Sequence, residues 1–184
     1  MPPASADLDK SARSTPNNRV LVVGEALVDV VTHVDGRSTL APGGSPANVA
    51  VGLGRLGREV ELASWIAPDA HGLLVTAHLS ASNVALAPGC IQAERTSVAT
   101  AVLDDQGGAQ YTFDVGWRVG AETLASCQAS AVLHTGSLAA VLEPGASRVV
   151  SLLDERRPET MITYDPNIRP SLMPPRRTTR DREQ

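Results

Sequence analysis

Apolar residues fall along the chain in short blocks that switch between two periods. Arg19–Gly24 (RVLVVG) is a continuous β-branched run, of the kind that fills a strand buried on both faces. It continues into EALVDVVTHV, which partly alternates and predicts a second extended segment closed by a turn at Asp35-Gly36. Residues 41–57 (APGGSPANVAVGLGRLG) change character: two glycines and a proline lead into a small-residue helix with Val49, Leu53 and Leu56 at helical spacing. Glu59–Ala67 returns to strand. Asp69–Ser82 reads as a helix opened by Pro68 and Asp69, with Leu73, Leu74 and Leu79 on or near its packed side.

Farther along, Thr96–Asp104 and Ala109–Val115 alternate around a glycine-rich turn at 105–108, which predicts a hairpin. A helix at Ala121–Gln128, a strand at Ala131–His134, a helix at Pro144–Arg157 and a strand at Thr160–Tyr164 follow. Such alternation predicts an α/β fold, a mostly parallel sheet with helices on both faces. The hairpin stands outside the alternation and predicts a small accessory sheet. Residues 1–18 are polar, with Pro2, Pro3 and Pro16, and read as a disordered leader. Residues 174–184 hold four arginines and two prolines without an apolar side chain, and read as a flexible basic tail.

Composition narrows the picture in a few places. With 184 residues there is room for one substantial core, and with 3% aromatics that core is built from Val, Leu, Ile and Ala. A net charge of −4 gives no electrostatic reason to expect nucleic acid. Cys90 and Cys127 form no CxxC pair, which fits a reducing cytoplasm. No apolar run approaches the ~20 residues that span a bilayer, and the N-terminus lacks the apolar segment of a secretory signal, so no membrane partner is expected.

The candidate chemistry lies in four places. Gly52, Gly54 and Gly57 match G-x-G-x-x-G, but they follow Asn48-Val-Ala-Val rather than a strand, so close helix packing explains them better than a dinucleotide site. Gly43 and Gly44 permit close backbone approach beside a helix start, and Asn48 both donates and accepts, as recognition of a hydroxyl requires. Asp29 sits near the end of the first extended region, where the ligand crevice of an open α/β sheet is expected; it suits a polyol anchor and equally a cap or turn. Asp165, Asn167 and Arg169 follow a strand end; Arg169 suits an anionic group or a brace to Asp165. His33, His71, His78 and His134 do not fall at metal-ligand spacing, and no metal is expected.

Taken in order, GEALVDVV at 24–31, GGSPANVAVGLGRLG at 43–57, ERTSVATAVLDDQGGAQYTF at 94–113, HTGSL at 134–138 and YDPNIRPSLM at 164–173 resemble the PfkB, or ribokinase-like, carbohydrate kinases, especially the fructokinase-like branch. The resemblance covers roughly residues 19–173. It implies a Rossmann-like domain with a small β-sheet lid over a sugar, and a homodimer formed through the lid. In that family the aspartate matching Asp29 binds sugar hydroxyls, the glycines matching Gly43 and Gly44 line the pocket, and the asparagine matching Asn48 contacts the sugar. The arginine matching Arg169 lies near the substrate's reacting end in several members.

The family transfers a phosphoryl group from ATP, with magnesium, using an aspartate in a late G-A-G-D segment. These 184 residues contain no G-A-G-D and no N-x-x-E segment. The resemblance therefore implies the N-terminal portion of the fold, without the catalytic aspartate, the ATP site or the C-terminal half. Three readings follow: a kinase represented by its sugar-binding part, a non-catalytic sugar-binding or regulatory module, and a truncated product without function.

Overall fold

A computed structural model describes residues 18–106, 108–167 and 172. The leader and tail, and Arg169 with them, lie outside the described residues, save Asn18. At the centre is β1 (Val20–Val23), whose four residues are all buried. It is flanked by parallel neighbours on both sides, β4 (Val60–Ala63) and β8 (Val132–Gly136). Beyond them lie β5 (Val84–Leu86) and β9 (Met161–Asp165), giving a five-stranded parallel sheet in the order β5-β4-β1-β8-β9. A strand in that position touches helices above and below, which is why VLVV has no polar alternation.

The two faces have separate cores. Val20, Val22, Val60 and Leu62 pack on one side against α1 (Ser45–Arg55) and α2 (Ala70–Ala81). On the other, Leu21, Val23 and Leu133 meet Leu124 of α3 (Ala121–Ser126) and Val149 and Leu152 of α5 (Ala146–Arg156). Trp117 anchors this second core, 2% exposed, with its indole N–H donating to the Ala139 carbonyl at 3.1 Å. A short helix, α4 (Ser137–Val141), begins directly at the end of β8.

The expected hairpin is part of a larger accessory sheet. β6 (Ser97–Leu103) and β7 (Ala109–Asp114) pair antiparallel, β2 (Leu27–Thr32) runs parallel to β6, and β3 (Ser38–Gly43) closes the other edge. The order is β3-β2-β6-β7. This is the lid that the family resemblance implied, and the whole arrangement is the ribokinase-like α/β topology. Val28 and Val30 at its base pack on the same core as α2, so the lid is rooted in the main body.

In α1 and α2 the packed face departs in part from the expected one, although Leu53 and Leu79 do meet the core. In α2 the inward residues are Gly72, Val75 and Leu79, whereas Leu73 is 68% and Leu74 38% exposed. Gly72 faces inward because the helix backbone abuts the Ala67 carbonyl, leaving no space for a Cβ. In α1 the buried set is Pro46, Ala47, Ala50, Val51 and Gly54, with Leu56 left 80% exposed. Small side chains bring this helix close to its neighbours, and Gly54 abuts the Ser82 carbonyl after α2 and Val84 of β5. Gly52 and Gly54 lie inside the helix and Gly57 just past it, but close packing explains only Gly54, since a Cβ at Gly52 or Gly57 would meet open space.

Candidate functional site

The C-terminal ends of β1 and β8 terminate at Gly24 and Gly136, and both glycines lie under the ring of Pro46. A Cβ at Gly24 would overlap that ring, so these glycines let the first turn of α1 sit directly on the strand ends. Gly44, the residue before α1, has φ +100° and faces the Glu25 carbonyl; an L side chain there would be strained and would collide. The N-terminus of α1 is thereby held over the sheet's crevice, the location where open α/β sheets bind ligands.

The lid covers this point from the other side. Asp29 of β2, Ala99 of β6 and Phe113 of β7 stand in one cross-strand row and face down. With Glu25, Leu27, Gly44, Ser45, Asn48, Val49, Leu138 and Asn167 they enclose a cleft of about 440 Å³. Asp29 lies over Gly43: a Cβ on that glycine would occupy the position of the Asp29 carboxylate. The structure thus brings Asp29, Gly44, Asn48 and Asn167, all singled out from the sequence, around one cavity, with Gly43 beneath Asp29.

Asp165 and Asn167 enter from the end of β9. The Asp165 carboxylate accepts from the Ser45 hydroxyl at 3.2 Å, tying that strand end to α1. The Asn167 carbonyl accepts from the buried Ser137 hydroxyl at 2.5 Å, and the Asn167 N–H donates to the Asp165 carbonyl at 2.9 Å. Asn167 reaches the cleft, while Asp165 braces the turn behind it. Among the described residues no lysine, arginine or histidine lines this cleft.

Glu25 was not singled out from the sequence, yet it is the most buried acid at the site, 5% exposed. Burial pushes its carboxyl up from the ordinary 4.5 to about 7, against the downward pull of its own N–H and that of Ser45 at the start of α1. Its Oε2 is buried without a hydrogen-bond partner among the described residues. The signal was present in the pattern: one acid interrupts an apolar run at the end of a predicted buried strand. His134 is held low by burial, which outweighs the opposing charge of Asp165, and its Nδ1 pairs with the Thr163 hydroxyl at 3.0 Å.

Chemically, the cleft offers carboxyl and amide groups together with one aromatic face. Such groups can donate to and accept from the hydroxyls of a small molecule. Three similar proteins are fructokinases. The fructokinase of Salmonella typhimurium is 35% identical over 164 residues, an alignment covering 85% of this chain and 53% of that one. A fructokinase of Vibrio cholerae O395, solved with fructose, ADP and calcium ion, aligns with a TM-score of 0.70 at 26% identity, covering 85% of this chain and 53% of that one. The Halothermothrix orenii fructokinase shares the fold with a TM-score of 0.74 at 24% identity, covering 85% and 60% of the two chains. The chain spans about half the length of the curated relatives it matches. Residues 17–182 match the pfkB family of carbohydrate kinases, and the chain belongs to that family.

Proposed function

We propose that residues 19–173 are the sugar-recognition part of an ATP-dependent sugar kinase of the cytoplasm, with Asp29, Gly43, Gly44, Asn48 and Arg169 as the substrate-binding set. Asp165 and Asn167 support that set from behind. The observation that carries this reading is the convergence of Asp29, from the lid, and Asn48, from α1, on one cleft. Fructose is the first substrate to test, since the relatives above are fructokinases.

ATP and magnesium belong to the proposal for a whole kinase, and the groups around this cleft do not fit them. A triphosphate needs cations or a ring of free backbone N–H groups. The cleft presents Glu25 and Asp29 instead, and the Ser45 N–H is already directed at Glu25. No step of phosphoryl transfer is assigned to these residues. A sugar-binding module without transfer activity is a second reading, supported by the described residues Asp29, Asn48 and Asn167 lining one cleft.

Calorimetric titration of the chain with D-fructose tests the proposal. Binding is expected, and Asp29→Asn is expected to weaken it by about tenfold, the worth of one charged hydrogen bond. Equal affinity of the two proteins for every sugar tried would refute the assignment.

A further inference from the structure

The proposed site has one acid more than a single polyol anchor requires. Glu25 lies at the junction of β1 and the lid, beneath the cleft that Asp29 faces from above. Its carboxyl accepts from the backbone N–H groups of Glu25 and Ser45, and Oε2 is left buried and unpartnered among the described residues. A buried carboxyl oxygen without a donor is costly, and a structural acid in that position would have been served by a neighbouring hydroxyl. Ser45 and Ser137 are nearby, but their hydroxyls are turned to Asp165 and to the Asn167 carbonyl. What remains facing Glu25 is the cleft.

We propose that Glu25 is a second ligand-recognising carboxyl, taking a hydroxyl of the ligand on Oε2. This rests on the sugar-binding reading above. An ionised carboxylate only accepts hydrogen bonds, so the ligand must supply the hydrogen, as a sugar hydroxyl does.

Regulation by pH follows. Among the described residues, the charged groups on the surrounding elements are Asp29 of β2 and Asp165 of β9, while α1 contributes the neutral Ser45 and Asn48 and α4 the neutral Ser137 and Leu138. Burial holds Glu25 protonated up to about pH 7. A hydroxyl donates more strongly to the ionised form, so ligand affinity rises as pH passes through neutrality.

The test is calorimetry at pH 6, 7 and 8 with D-fructose on the wild type, Glu25→Gln, Glu25→Ala and Asp29→Asn. Thermal melting is recorded for each variant. Wild-type affinity for fructose is expected to rise about fivefold from pH 6 to pH 8, the difference between a neutral and a charge-assisted bond. Glu25→Gln, which keeps the side chain's size, is expected to bind with no such slope. Glu25→Ala is expected to lose about tenfold at pH 8. A Glu25→Gln protein that keeps the wild-type slope overturns the proposal. If that happens while Asp29→Asn still loses fructose, the sugar site survives and only Glu25's role falls. If fructose does not bind the wild type, both fall.

Discussion

Replacing Glu25 by glutamine removes an ionisation while keeping the side chain's size, which makes it a probe of stability as well as of ligand. The folded carboxyl titrates near 7 and the unfolded one near 4.5. The folded state therefore holds its proton longer, and stability falls as pH climbs from 4.5 to 7. Two and a half units correspond to about 3 kcal/mol at most. We expect Glu25→Gln to gain on the wild type by up to that amount between pH 4.5 and 8, read by urea unfolding at each pH. A constant gap would contradict the assignment of a buried, reluctantly charged acid. Asp69 cannot mimic the effect. Although burial pushes against it, hydrogen bonds from Thr96 and Gly72 hold that carboxyl below its ordinary 3.8, so its contribution disappears only at lower pH. At this scale the sequence was informative wherever a residue's type restricts its partners. Asp29, Gly44 and Asn48 could be picked out because the ordered motifs around them resemble those of one family; taken singly, Asp29 suits a cap or turn equally well. Glu25 escaped because a single acid carries no spacing, and its burial is a product of the lid's return over β1.

Among the elements, α2 shows how a local signal can serve a distant one. Asp69 caps the helix by accepting from the Gly72 N–H at 2.7 Å. The same carboxylate accepts from the Thr96 N–H at 2.9 Å and hydroxyl at 2.7 Å, at the start of β6. Thr96 in turn accepts from the Ala67 N–H at 3.1 Å, and it is 3% exposed. Asp69→Ala thus removes a cap and leaves a buried N–H unserved, for an expected loss of about 2 kcal/mol. Asp69→Asn should recover part of it, and chemical denaturation of the pair checks both. The cap was legible from Pro68-Asp69, while its second role was not, since nothing local links residues 69 and 96. β1, a full apolar block, could be read directly, and β4 and β8 from their Val and Leu positions. β3 could not, because STLAPG is largely exposed, contains Pro42 and owes its form to pairing with β2. β5 and α4, at three and five residues, are too short to show a period. In α1 and α2 periodicity gave the helix but only part of the packed face, Leu53 and Leu79, because glycine and alanine seek close backbone contact that a hydrophobic pattern does not register.

On the scale of the whole molecule, the lid leaves apolar surface uncovered: Leu40 and Val102 are each 49% exposed and Tyr111 66%, with Tyr111 stacked on Phe113 at 6.2 Å. We expect the chain to self-associate through this sheet, as the family resemblance suggested. Sedimentation should show a dimer at tens of micromolar that Val102→Glu dissociates; a monodisperse wild-type monomer would contradict it. A second expectation concerns turnover. Because these 184 residues contain no G-A-G-D segment, ADP release from ATP with fructose should stay far below the ordinary enzyme range of ~1 s⁻¹, and a rate in that range abolished by Asp29→Asn would refute this. The sheet order has a further effect, on how the chain is made. β1 is the first strand among the described residues and the central one in its sheet. Its inner neighbour β4 follows soon, but on the other side the Val23 carbonyl waits for the Thr135 hydroxyl, 112 residues later. At ~5–20 residues per second, translation takes roughly 5 to 20 s to cover that distance. For that time the most apolar strand of the nascent protein has one edge open at the ribosome, long enough for chaperones to compete with folding for it.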